Sequence, residues 1–114
     1  MISRIETGAR MSQAVIHNDT IYLAGQVGAP GRSAAEQTQA ILERIDDLLE
    51  QAGSSKAHIL SATIWLSDMD DFGEMNGVWD EWVADIPPPA RATGESRLAT
   101  PDYKVEIIVI AAKP

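Results

Sequence analysis

PPPARATGESRLATPDYKVEIIVIAA, residues 87–112, holds two extended segments with a turn between them. Pro87, Pro88 and Pro89 remove the backbone donors a helix needs and push the chain into extended conformations. Arg91 follows at once, among the small residues Ala90, Ala92, Thr93 and Gly94. Thr100-Pro101-Asp102 is a turn signal. The run Tyr103–Ala112 is β-branched and almost wholly apolar, the pattern of a strand covered on both faces. It contains one carboxylate, Glu106. An arginine and a lone acid on two strands joined by a single loop are the feature that needs explaining.

Working back toward the N-terminus, Gln13–His17 and Thr20–Ala24 flank Asn18-Asp19, which predicts a β-hairpin. Ser3–Glu6 reads as a short edge strand ended by Gly8. Helix one is expected to start at Ser33, whose N-cap hydroxyl and Glu36 three residues on form a capping box. Ile41, Ile45, Leu48, Leu49 and Ala52 recur at helical spacing, and Gly53 supplies a left-handed stop. Ile59–Leu66 is expected as a strand, with Leu60, Ala62, Ile64 and Leu66 turned toward the helices. Helix two should begin near Asp70-Asp71 and end at Pro87, with Phe72, Met75, Trp79, Trp82 and Val83 packed in the core. The order is β-β-α-β-α-β-β, with a leading edge strand. This is an α+β fold with a mixed sheet and two helices on one face. The other face then needs cover, and self-association is its simplest source.

The chain has 114 residues, 45% of them apolar, so one domain (1–114) with a substantial core is expected. The net charge of −8 and the absence of a Lys/Arg cluster argue against nucleic acid and anionic membranes as partners. There is no cysteine, which excludes disulfides, thiolate metal sites and cysteine nucleophiles. No apolar run has the length of a signal peptide core or a membrane span, so a cytoplasmic protein is expected.

Guanidinium offers a planar fork of donors suited to a carboxylate or phosphate. Arg91 is therefore either a surface ion-pair partner or an anion clamp. Glu106 is either a wet carboxylate near Lys104 or a partly buried base that holds and deprotonates a water. His17 and His58 have no metal-ligand company, and Asp68, Asp70 and Asp71 suit a helix N-terminus better than a calcium loop. Gly25-x-x-Gly28-x-x-Gly31 lacks the spacing of a phosphate loop.

Pro89-Ala90-Arg91, Lys104-Val105-Glu106-Ile107, Ala24-Gly25-Gln26 and Asp71-Phe72-x-x-x-Asn76 occur in an order that resembles the RidA (YjgF-type) family of enamine/imine deaminases. Val15-Ile16-His17-Asn18 and Asn76-x-x-Trp79-Asp80-x-Trp82 look closest to a short RutC-like branch. The resemblance spans nearly the whole chain. It implies a chorismate-mutase-like fold assembled as a homotrimer with clefts between subunits, and neither metal nor organic cofactor. It also implies that Arg91 grips a substrate carboxylate and that Glu106 orients the water attacking an imine carbon. Gly25 would contribute backbone to the cleft. The expected substrates are 2-aminoacrylate-like species, hydrolysed to 2-keto acids and ammonia. Met11 aligns where family members usually carry tyrosine, Ala24 where they carry serine, and Thr93 where cysteine is frequent. A carboxylate-binding or interaction protein of the same fold, without turnover, is the alternative.

Overall fold

The computed structural model describes residues 1–114. Its elements are β1 (Ile2–Thr7), β2 (Ser12–His17), β3 (Thr20–Leu23), α1 (Ala34–Gln51), β4 (Ile59–Leu66), α2 (Phe72–Trp82), β5 (Ala90–Glu95) and β6 (Val105–Ala112). One six-stranded sheet runs in the order β1-β2-β3-β6-β4-β5. Only the β4–β5 pair is parallel; every other pair is antiparallel. The parallel pair follows from connectivity: a return to the same edge direction needs a crossover, and α2 supplies it.

The local signals account for most boundaries. Ser33 caps α1 by accepting from the Glu36 N–H, and the capping box is complete; Gly53 ends the helix at φ +80°. Asn18 takes the positive φ of the β2–β3 turn, which asparagine tolerates. Alternation along β6 buries Val105, Ile107, Val109 and Ala111 and leaves Glu106, Ile108, Ile110 and Ala112 on the other side. The first set packs with Ala14, Ile21, Leu23, Ala62, Ile64 and Leu66 beneath Ile41, Ile45, Leu48 and Leu49 of α1 and Met75 and Trp79 of α2. Gln37, fully buried, ties the loop before β6 to α1. Its Nε2 donates to Arg32 O and Asp102 O, and its Oε1 accepts from Lys104 N.

Three expectations need correction. Leu60 is 54% exposed rather than turned to the helices, because a register shift between Ile59 and Ser61 resets the alternation of β4. Helix α2 does begin beside Asp70-Asp71, at Phe72, and Asp68 caps the 3₁₀ turn ahead of it (Met69–Asp71) by accepting from Asp70 N. Helix α2 stops at Trp82, not at Pro87; the bonds Ala84 N to Glu81 O and Ile86 N to Val83 O carry the chain on as turns. Tyr103 and Lys104 lie outside β6.

The face of the sheet away from the helices is open in the single chain. Val15, Tyr22 and Ile110 sit side by side across three strands, and Ile108 lies beside Thr63. Tyr22 is 46% exposed, and Val15, Ile108 and Ile110 are half-buried. The β6 strand is thus covered on one face by this chain, not on both.

Candidate active site

Arg91 lies opposite Ala62 on β4, and Ala62 lies opposite Val109 on β6. Directly opposed residues share a face, so Arg91 is on the helix side of the edge strand β5. There its Nη1 donates to Asn76 Oδ1 at 2.8 Å. Its guanidinium carbon is 5.4 Å from the Trp79 ring centroid and 5.9 Å from that of Phe72, both in cation–π range. Phe72, Asn76 and Trp79 recur at positions i, i+4 and i+7, so one face of α2 presents all three to the arginine. None of the ion pairs, which join Arg32 to Glu36, Arg44 to Glu6 and Asp47, and Lys56 to Asp85, involves Arg91. The guanidinium is oriented by its neighbours and left electrostatically uncompensated.

Thr93, two residues on, shares this face, since it lies opposite Ile64. Its hydroxyl oxygen is buried without a hydrogen-bond partner. Such a group costs on the order of 1–3 kcal/mol unless something bonds it, and it stands beside the free guanidinium. Asn76 and the Phe72 and Trp79 rings are the residues that sequence reasoning did not place in the site. Phe72, expected in the core, is 37% exposed and faces Arg91 instead. Their regular spacing was the available signal, but a helical face that packs on a sheet has the same spacing.

Glu106 lies opposite Trp65, and Trp65 opposite Gly94. This row is on the open face. The Glu106 carboxylate rests on Gly25: a Cβ there would sit 2.5 Å from Oε2. The turn carrying Gly25 is fixed by Gln26, only 4% exposed, whose backbone bonds Ile107 in both directions, at 2.9 and 3.1 Å. The Gln26 Nε2 also donates to Gln13 Oε1 and to Ala24 O. Ala24 N in turn bonds Gln13 O. Met11, 45% exposed, precedes β2 at the rim of this region, so Met11, Ala24, Gly25 and Glu106 are gathered at one end of the open face.

The two groups do not meet within one chain, and the strands that carry them are not neighbours. β4 runs between β5 and β6, and the connecting loop passes its end, where Ser96 N bonds Leu66 O and Ser67 N bonds Lys104 O. The Arg91 and Glu106 backbones are offset by two strand spacings and three residues, roughly 14 Å, and their side chains leave opposite faces. No cavity of the chain is lined by either residue. His17 is exposed, and His58 bonds the Ser55 hydroxyl before β4.

The sequence matches the family described as Endoribonuclease L-PSP over residues 1–113. It is 49% identical over 112 residues to a RutC family protein of Haemophilus influenzae, covering 96% of this chain and 97% of that one. It is 47% identical over 111 residues to the RutC family protein YoaB of Escherichia coli, covering 97% of each. Among solved structures, NMB1025, a YjgF family member from Neisseria meningitidis, superposes with a TM-score of 0.97 at 50% identity, over 100% of this chain and 96% of that one. A full-length match at such identity, with the Arg91 and Glu106 strands in the same fold, makes this chain a member of the RidA/YjgF family, in its RutC-like branch.

Proposed function

We propose that the protein hydrolyses reactive enamine/imine species bearing a carboxylate, 2-aminoacrylate and its relatives, to 2-keto acids and ammonia in the cytoplasm. The active assembly is a homotrimer of chorismate-mutase-like subunits. Each site pairs Arg91 and Thr93 of one subunit with Glu106, Gly25, Ala24 and Met11 of the next. The observation that carries this reading is the state of Arg91: stacked, hydrogen-bonded by Asn76, and lacking any carboxylate of its own. The half-exposed apolar row on the Glu106 face supports assembly there.

In this site Arg91 would hold the substrate carboxylate in a forked pair, and Thr93 would find its missing partner on the same group. Glu106 would accept a proton from water as the oxygen bonds the imine carbon and the C=N π pair moves to nitrogen. The same carboxyl would then return that proton to nitrogen. The hydroxyl proton then passes to the amino group through the same carboxylate as the C–N bond breaks, so that ammonia leaves and the oxygen becomes the keto group. An imine carbon is already electrophilic, so positioning and one base suffice.

The test generates 2-aminoacrylate in situ from serine with a pyridoxal-dependent dehydratase and follows keto acid release. Wild-type protein should accelerate release, and Arg91→Ala should lower kcat/KM about a hundredfold, as expected for loss of a charge-assisted forked pair. No acceleration by a folded assembly, across several amino-acid precursors, overturns the reading. Met11 and Ala24 favour a second reading, because they bring no hydroxyl to the cleft: carboxylate binding without turnover. In that case Arg91→Ala abolishes ligand-induced thermal stabilisation, Glu106→Gln leaves it intact, and wild-type protein shows no release.

A further inference from the structure

Trp65 stands directly opposite Glu106 on the open face, and directly opposed residues have Cβ atoms about 5 Å apart. The two side chains lean away from each other. Glu106 reaches over Gly25, where a Cβ would sit 2.5 Å from its Oε2. The Trp65 indole lies on the other side, over Gly94 of β5, where a Cβ would stand 3.0 Å from its Cζ3. Any side chain at position 94 would displace the ring, so this glycine sets where the indole lies. Trp65 is still 36% exposed.

From Glu106 toward β5, this face carries Trp65 and Thr63 on β4 and Gly94 and Ala92 on β5, with no charged side chain among them. Ile108, two residues along β6 and half-buried, adjoins them opposite Thr63. A substrate whose imine carbon lies at Glu106 is therefore within reach of the indole. A side chain pointing across the sheet toward β5 would meet an aromatic ring and small or aliphatic groups. An apolar side chain gains there by shedding water and packing on the ring. A charged one would lose hydration with nothing to pair it.

Resting on the imine-hydrolysis reading, we infer that Trp65 is a specificity-determining residue and that the preferred imines carry a large apolar side chain, an aromatic one above all. Arg91 would take the carboxylate next to the imine carbon, and Trp65 the side chain.

The test compares two imines made in situ by a flavin oxidase, one from D-alanine and one from D-phenylalanine; the imine carbon has lost its stereochemistry. Unhydrolysed imine is trapped and read as its semicarbazone. Wild-type protein should favour the phenylalanine-derived imine. Trp65→Ala should lower the ratio of the two kcat/KM values about tenfold, mostly through the KM of the larger imine, the weight of a ring-on-ring contact and its buried area. Trp65→Phe keeps a ring and should keep most of the preference. If Trp65→Ala does not assemble, Trp65→Leu reads the same ratio and should also lower it. A wild type that hydrolyses both imines without favouring the larger, or variants that lose both reactions alike or leave the ratio unchanged, would make Trp65 a packing residue only; the inference is then wrong and the imine reading stands. If wild type hydrolyses neither imine, the imine reading itself is overturned, and this inference with it.

Discussion

Arg91 and Glu106 leave opposite faces of one sheet, with the whole of β4 between the strands that carry them. No side-chain rotation closes that separation, so chemistry that uses both needs two copies of the chain. This gives a sharp expectation. Arg91→Ala and Glu106→Gln should each be inactive alone, yet their mixture, unfolded and refolded together, should regain activity. Every interface that joins an intact Arg91 to an intact Glu106 is a complete site. Random assembly of equal amounts makes about one quarter of sites complete. A mixture as inactive as its components, with mixed trimers demonstrated by mass, would falsify the shared site.

Gly25→Ala separates conformation from contact. Gly25 is not among the residues at positive φ, so alanine fits the backbone there. Its Cβ would nevertheless stand 2.5 Å from Glu106 Oε2 and 3.0 Å from Cδ. The carboxylate is the end of a flexible chain and can swing away at small cost, so the melting temperature should move by only about 2 °C. Imine hydrolysis should fall at least about tenfold, because a base displaced by an ångström no longer lines up with its water. Full activity in the variant would show that the Glu106–Gly25 contact has no part in the reaction.

Asn76→Ala probes how Arg91 is held. The variant loses the 2.8 Å bond to Nη1 but keeps Phe72 and Trp79 beneath the guanidinium. The expected result is a rise in KM of about three- to tenfold, the weight of a hydrogen bond to a charged group that is also stacked, with kcat nearly unchanged. Trp79→Ala should differ in kind. Trp79 is 4% exposed and belongs to the core, so stability should fall by about 3–5 kcal/mol. Steady-state kinetics and chemical denaturation on both variants distinguish the two roles. An Asn76→Ala protein that loses kcat instead of affinity would contradict the assignment.

The elements that the residues announce locally are the ones the sequence makes legible. Ser33 and Glu36 predict their own capping box, Asn18 its turn, and alternation from Val105 to Ala112 its buried face. Strand order is different, because it depends on partners distant in the chain: nothing in residues 87–112 says that β4 will come between them. Two strands joined by a single loop usually pair, but the parallel β4–α2–β5 unit places β4 between the strands of Arg91 and Glu106. The same limit hides the seat of Glu106 on Gly25, a contact between residues far apart in sequence. Leu60 fails for a local reason, since one shifted pair in β4 reverses the side to which a side chain points.

Acid should loosen β1 before the rest of the sheet. The Glu6 carboxyl is held below its ordinary value of 4.5, chiefly by the hydrogen bond from Arg44 and then by that from Gln51. A folded-state pKa below the unfolded one stabilises the docked strand at every pH above the unfolded value, and the effect disappears as pH falls through the folded one. Glu6 is the only residue of β1 bonded to α1 through its side chain in this way, and β1 is an edge strand. Amide exchange in Ile2–Thr7, corrected for intrinsic rates, should therefore keep constant protection from neutral pH down toward the ordinary carboxylate value of 4.5 and lose it as the pH falls further. Glu36, lowered by Arg32, acts at the start of α1 and leaves those amides alone. Glu6→Gln has no proton to gain, so its β1 protection should be lower at neutral pH and flat across the same range. If the variant and the wild type lose protection over the same acid interval, some group other than Glu6 fastens the strand.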